Sequence, residues 1–191
     1  MLAGAGFFAA LRYLNWTVAL PIGLLFIALW LLFRDPRRLI PAAPMGVVSP
    51  VDGTVVNVDT VSAGVFKGDA HRVCIEIDAF GAYTARCPVE GKILDLGSLA
   101  AEQVADYETH ALWVQTDEGD DVVLQFFGYR LGLSPKAIVR FGERIGQGRR
   151  CAYLRLARTA EVHLPISSTV LVTPGDVVDA GSDLIGKLLA P

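Results

Sequence analysis

The chain has 191 residues, of which 52% are hydrophobic and 19% charged, and its formal net charge is -3. That balance excludes a disordered chain and a polycationic nucleic-acid binder, and the length fits one globular domain with an appendage. Three cysteines, Cys74, Cys87 and Cys151, are odd in number and widely spaced with no CxxC pair, which argues against a disulfide framework or a zinc site and fits a reducing compartment.

The charge is unevenly placed: all 20 acids and every base except Arg12 lie at or after Arg34. Residues 1–12 are a short apolar segment. Residues 13–33 carry no charge, and as a helix rising about 1.5 Å per residue they would reach across about 30 Å of hydrocarbon, so one transmembrane helix is expected there. Tyr13, Trp16, Trp30 and Phe33 are aromatic residues of interfacial type near its ends. Arg34, Arg37 and Arg38 outweigh Arg12, which places the following domain on the cytoplasmic side. The Arg-Asp-Pro-Arg-Arg sequence after the apolar stretch is unlike a signal-peptide cleavage site.

Residues 34–191 read as one domain, mostly β. Runs rich in Val, Ile, Leu and aromatic residues at 54–58, 73–77, 111–115, 122–127, 151–156 and 169–172 are separated by Gly, Pro, Asn and Asp turns. Residues 134–141 predict one short helix, with Ser134 as N-cap and Pro135 at the first position. The acids Asp117, Glu118, Asp120 and Asp121 around Gly119 predict a solvated hairpin turn. The stretches 48–58 and 170–184 both run from a Pro/Gly turn into valines, the pattern of a barrel-sandwich domain built from short curved strands. The expected fold is therefore a barrel-sandwich-like β domain with few short helices, preceded by the transmembrane helix.

Several motifs taken in order resemble the phosphatidylserine decarboxylase family in its short, membrane-anchored form. Leu32-Phe33-Arg34-Asp35-Pro36-Arg37-Arg38 with Pro41 is similar to FFRDPxRxxP, and Val48-Ser49-Pro50-Val51-Asp52-Gly53 contains a relative of SPADG. Arg86-Cys87-Pro88-Val89-Glu90-Gly91-Lys92-Ile93 is similar to RAPVxGKV. Gly142, Gly148 and Arg150 fit a GDxVxxGxR pattern, and Glu161-Val162-His163-Leu164-Pro165 fits DxYLP. The resemblance implies pyruvoyl chemistry. In that family a serine following glycine attacks the glycine carbonyl, the chain breaks, and the new N-terminal pyruvoyl group takes up the amine of phosphatidylserine and accepts electrons as carbon dioxide leaves. It also implies that an Asp in the SPADG segment and a histidine in the loop matching 80–88 assist the cleavage.

The sequence departs from the pattern where that chemistry occurs. An ungapped count from Gly142 to Pro165 puts Leu156-Ala157-Arg158-Thr159 at Phe-Gly-Ser-Arg. Ala157 replaces the glycine and Arg158 the serine, and an arginine has no hydroxyl to form the ester. Tyr83 stands where the short form has histidine, and Arg86 where longer forms have another, so a general base near neutral pH is missing. Asp52 is retained in an Asp-Gly turn, a place where Asp is more often structural than catalytic. Thr159, the low-ranking substitute nucleophile, is one residue off and would face the other side of a strand. Gly97-Ser98 and Gly181-Ser182 lie in turn-like contexts away from the matching segment. Ser49, Ser167 and Ser168 do not follow glycine, and Cys151 reads as a small buried residue. His71, His110 and His163 are scattered, with surface or hydrogen-bonded roles expected, and no metal constellation emerges.

Arg140, Arg144, Arg149, Arg150, Arg155 and Arg158 fall within nineteen residues with Glu143 as the sole interspersed acid. They are candidates for binding anionic lipid headgroups if they share a face near a bilayer, or for pairing with the domain's own acids. The leading expectation is a membrane-bound homologue that has lost self-processing, needs no cofactor, and binds lipid or a partner without catalysis. The alternatives are an active decarboxylase using an unrecognised Ser or Thr, and a barrel-sandwich adaptor. A lipoyl- or biotinyl-type carrier is disfavoured because no Met-Lys-Met turn is present.

Overall fold

A computed structural model describes residues 16–33, 35–36, 38–43, 45–62, 68–95, 110–128, 135–154 and 156–189. The backbone separates into two units, residues 1–34 and 35–191.

In the first unit, α1 (Trp16–Leu32) is a 17-residue helix with Pro21 inside it and no charged side chain. Its apolar residues are spread around the axis, and Leu24, Leu25, Phe26, Ile27 and Trp30 are all exposed. The expected transmembrane helix is corrected here. At about 1.5 Å per residue α1 is about 25 Å long, short of a hydrocarbon core of about 30 Å. Among the described residues no helix is long and apolar enough to cross a membrane.

The second unit is built from short antiparallel strands. They are β1 (Gly46–Val48), β2 (Gly53–Val61), β3 (Ala70–Ile77), β4 (Thr84–Arg86), β5 (Gly91–Asp95), β6 (His110–Gln115) and β7 (Asp121–Phe127), followed by β8 (Lys136–Ala137), β9 (Arg144–Ile145), β10 (Arg150–Tyr153), β11 (Thr159–Pro165), β12 (Thr169–Val170), β13 (Val177–Val178) and β14 (Leu184–Lys187). An eight-stranded sheet has the order β13-β2-β3-β11-β7-β6-β5-β9, and two three-stranded sheets have the orders β1-β14-β12 and β4-β10-β8.

β11 lies between β3 and β7. Val162 is opposite Val73 and Leu124, and Ala160 opposite Ile75 and Phe126. These six belong to one buried core with Val47, Val51, Val55, Val114 and Ile185. Because side chains alternate along a strand, the intervening residues Thr159, Glu161 and His163 face the other side of the sheet, with Cys74, Glu76 and Gln125 across from them. A bulge between Val55 and Asn57 shifts the β2–β3 register and returns Val58 to the core side.

The β-rich runs expected at 54–58, 73–77, 111–115 and 122–127 form strands β2, β3, β6 and β7, while those at 151–156 and 169–172 shorten to β10 and β12. The acidic turn around Gly119 forms as expected, with φ 93° at Gly119 and Thr116 N–H donating to Asp120 O at 2.9 Å. The helix expected over 134–141 does not form across its described part. Lys136 and Ala137 instead pair with Tyr153 and Ala152, and Ile138 N–H donates to Cys151 O at 2.8 Å. The open edge of β10 outweighs the local Ser-Pro helix signal; Ser134 itself lies outside the described residues.

Candidate functional site

Asp52 ends the turn that leads from β1 into β2. Gly53 follows because the chain runs hard against β3: a Cβ on Gly53 would come 2.1 Å from Glu76 O. This closeness pushes the Asp52 carboxylate into a buried niche where three separate segments donate to it. Ala180 N–H reaches Oδ1 at 2.7 Å, Ala82 N–H reaches Oδ2 at 2.8 Å, and an Arg38 guanidinium nitrogen reaches Oδ2 at 3.0 Å. Gly81 is confined by the same packing, since a Cβ there would lie 2.7 Å from Asp52 Cβ.

Arg86 is buried at the end of β4. It donates to Gly148 O at 3.1 Å, Pro36 O at 3.0 Å and Asp35 Oδ1 at 3.2 Å. Arg150 pairs with the other oxygen of Asp35, and Arg38 also reaches Asp179 at 2.5 Å. Asp35, Arg38, Asp52, Arg86, Arg150 and Asp179 thus form two adjacent ion-pair clusters that fasten Asp35 and Arg38 to the strands. Paired burial of this kind keeps charged groups from costing the several kcal/mol, at order of magnitude, that isolated ions would.

The segment matching the cleavage site lies beside this niche. After β10, Ala157 N–H donates to Leu154 O at 3.0 Å, closing a turn in which Leu156 adopts φ 71°, a left-handed conformation that strains a residue other than glycine. Ala157 is buried in the core. Arg158 N–H donates to Phe127 O at 3.1 Å, and Arg158 O accepts from Ile77 N–H at 2.7 Å. The next N–H along, that of Asp78, donates to Asp52 O at 2.9 Å. The fold therefore brings 52, 78 and 158 onto neighbouring strand ends although they are far apart in sequence. Tyr83 lies at the same end: its carbonyl accepts from Leu154 N–H at 3.0 Å, and its ring centroid is 5.9 Å from that of Tyr153.

The residues present do not fit a pyruvoyl group. Position 158 carries a guanidinium rather than a hydroxyl, and position 83 a phenol rather than an imidazole. Thr159 is paired with Glu76 and Phe127 on the face of β11 opposite the core, so its hydroxyl and the Arg158 side chain leave the strand on opposite sides. Ser49 is fully buried with Oγ donating to Val51 O at 2.7 Å, and Ser168 Oγ donates to Pro165 O at 2.6 Å. Ser182 follows Gly181 in a turn where Gly181 has φ 73°, and the Gly97-Ser98 pair lies outside the described residues.

The arginine-rich segment is only partly free. Arg144 pairs with Glu90 and Asp117, and Arg150 with Asp35. Arg140, Arg149 and Arg158 are exposed with no ion pair to a described residue, while Arg155 lies outside the described residues. Of the two roles open to these arginines, pairing with acids of the same domain accounts for Arg144 and Arg150. A hollow of about 350 Å³ is lined by Met45, Val89, Glu90, Asp117, Glu118 and Gln147.

The histidines divide. His71 Nδ1 is 3.3 Å from Thr60 Oγ1 at an exposed position, and the side chain of His110 is outside the described residues. His163 departs from the expectation of a surface or hydrogen-bonded role: it is 4% exposed, both ring nitrogens lack hydrogen bonds, and Nε2 is 3.6 Å from Glu161 Oε2. Its neighbour Gln125 is also buried with an unpartnered amide nitrogen. Sequence gave no signal of this cluster, since a tyrosine-like position in the DxYLP pattern reads as packing. Cys87 and Cys151 are fully buried, and burial pushes the Cys87 thiol up to about 12 and the Cys151 thiol well above its ordinary value. No group of metal-ligating side chains is found among the described residues.

No family model matches the chain. The solved structure of glucose permease IIA from Mycoplasma capricolum superposes with a TM-score of 0.50 over 74% of this chain and 93% of that one, at 20% identity, a likeness of fold. The phosphatidylserine decarboxylase proenzyme of Nitrosomonas europaea is 31% identical over 184 residues, 91% of this chain and 84% of the relative. That of Nitrosomonas eutropha is 31% identical over 92% of this chain and 85% of the relative. The proenzyme of Burkholderia ambifaria is 29% identical over 89% and 83%. With positions 52, 83 and 158 brought to neighbouring strand ends and sequence similarity running along almost the whole length, the chain belongs to the phosphatidylserine decarboxylase family.

Proposed function

We propose that this chain is a non-catalytic member of its family that acts at a membrane surface by binding anionic phospholipid, and that it makes no pyruvoyl group. The observation that carries the reading is the side chain at position 158. Self-cleavage of the family type needs a hydroxyl that attacks the preceding carbonyl, and the Arg158 guanidinium is permanently cationic and has no such oxygen. Thr159 supplies no substitute because its side chain leaves the opposite face of β11. Tyr83 adds to the loss, since a phenol is a poorer general base than an imidazole.

Location at a membrane is supported by α1, whose exposed apolar side chains have lower free energy in lipid than in water. The bases Arg34, Arg37 and Arg38, which follow α1 in sequence, are of the sign drawn to an anionic membrane surface. Binding rather than turnover follows from a scaffold that is intact around a site whose reactive atoms have been replaced.

Intact-mass spectrometry of the purified full chain tests the reading. A single species at the mass of the uncut polypeptide is expected. Two fragments, the smaller with a blocked N-terminus that hydroxylamine modifies, would overturn it and make the protein a working decarboxylase. Loss of that cleavage in T159A would then name the nucleophile. A protein that stays uncut, ignores lipid and co-purifies with a stable partner would favour the adaptor reading.

A further inference from the structure

Arg158 differs from the other arginines of its segment in how it is held. Its peptide group is fixed on both sides, by Phe127 O and by Ile77 N–H. Its aliphatic stem runs along Gly128: a Cβ placed on Gly128 would sit 3.3 Å from Arg158 Cβ, 3.6 Å from Cδ and 3.8 Å from Cγ. Gly128, with φ 68°, provides both the backbone turn and the open track on which the stem lies. The head of the side chain is exposed, and no described carboxylate pairs with it, whereas Arg144, Arg150 and Arg86 are all engaged by acids. Leu156, two residues earlier, and Tyr153 at the end of β10 are also exposed.

A guanidinium with a guided stem and an unpaired head is a pre-set fork for a phosphate or carboxylate, with its two parallel N–H groups matched to two oxygens. The same charge repels an ammonium group. We propose that Arg158, the residue that removed the cleavage chemistry, is the anchor for the anionic group of a lipid headgroup, so that position 158 selects net-negative lipids over zwitterionic ones. This rests on the lipid-binding reading above and adds to it the residue and the headgroup class.

The test uses the full chain in neutral detergent micelles, titrated by calorimetry with micelles doped with phosphatidylglycerol, phosphatidylserine or phosphatidylcholine, and separately with inorganic phosphate. The wild type is expected to bind both anionic lipids and to discriminate against phosphatidylcholine. R158Q is expected to weaken anionic-lipid binding about five-fold, the size of one well-placed base at a lipid surface. R158K is expected to fall between the two, and R144Q, whose native side chain is already paired with Asp117, to match the wild type. All variants are first checked for an unchanged urea midpoint.

Wild-type binding that R158Q leaves untouched would overturn the assignment of the anchor while leaving lipid binding in place. A wild type that does not distinguish phosphatidylglycerol from phosphatidylcholine would overturn the lipid reading itself. Inorganic phosphate that binds the wild type as tightly as the doped micelles, and is lost in R158Q, would show a soluble-phosphate site and overturn the lipid as its source.

Discussion

Replacing Asp52 with alanine separates a scaffold role from a purely chemical one. The carboxylate is 6% exposed and accepts from two buried backbone N–H groups, those of Ala82 and Ala180, and from Arg38. Deleting it strands both N–H groups where water enters poorly, at about 1–3 kcal/mol each. Arg38 keeps Asp179, at 2.5 Å, so its loss is smaller than that of a fully orphaned partner, for which about 3–5 kcal/mol is usual. The combined effect for D52A is about 3–5 kcal/mol, because the three losses share one cavity and do not add in full. In a domain of this size each kcal/mol lowers the melting temperature by about 2–4 °C, giving a drop of about 6–20 °C.

D52N should recover part of this, since the amide oxygen can accept from one N–H while its NH2 faces the other donor. Urea unfolding of the full chain, followed by far-ultraviolet circular dichroism, gives the ordering wild type, D52N, D52A. If D52A unfolds within about 1 kcal/mol of the wild type, the three contacts do not hold the fold together, and Asp52 must be explained by chemistry instead.

Thiol reactivity and acid stability provide two further checks. Cys87 and Cys151 are fully buried with raised thiol values, while half-buried Cys74 is raised mainly by desolvation. Ellman's reagent at pH 8 should therefore label Cys74 slowly in the folded chain and all three thiols in urea; rapid native labelling at Cys87 or Cys151 would contradict the packing. At Asp59, the hydrogen bond from Arg72 holds the carboxyl below its ordinary value. Its contribution is then present above about pH 4 and lost as pH falls through the lowered folded-state value. The stability gap between wild type and D59N should be constant from neutral pH to about pH 5 and narrow below about pH 4; a gap that widens in acid would refute the pairing.

The sequence made the long strands legible because runs rich in Val, Leu and aromatic residues, such as 54–58 and 122–127, stand between Gly and Asp turns. Two-residue strands such as Lys136–Ala137 and Val177–Val178 are too short for any period to register. Residues 134–141 were misread for a related reason. Ser-Pro is a valid helix start taken locally, but the decisive partner, Tyr153, lies beyond the window. The 21 uncharged residues predicted a full span, whereas the described helix α1 holds 17. Sequence spacing pointed to 156–159 as the segment that matches the family's cleavage site, with Arg158 in place of the serine. It did not show which arginines were already neutralised, because Asp35 and Asp117 are brought to Arg150 and Arg144 by tertiary structure alone.

The motif positions divide by what they touch. Asp35, Arg38, Asp52, Gly53, Gly81 and Arg86 make the contacts that close the domain: ion pairs, bonds to backbone N–H groups, and sites where a Cβ would collide. Positions 83, 157 and 158 carry the departures, and each is accommodated without opening the core: the Tyr83 ring lies tilted against Tyr153, Ala157 is buried, and the Arg158 stem lies along Gly128. Most of the matching motifs therefore serve the scaffold itself, and their presence does not require the reacting atoms. The corollary is that motif resemblance alone is weak support for activity here, and that the three altered positions carry more information about function than all the matching ones. Arg158 is the most informative of them, since the proposed reading rests on a guanidinium, its stem held along Gly128, standing where the family has a hydroxyl.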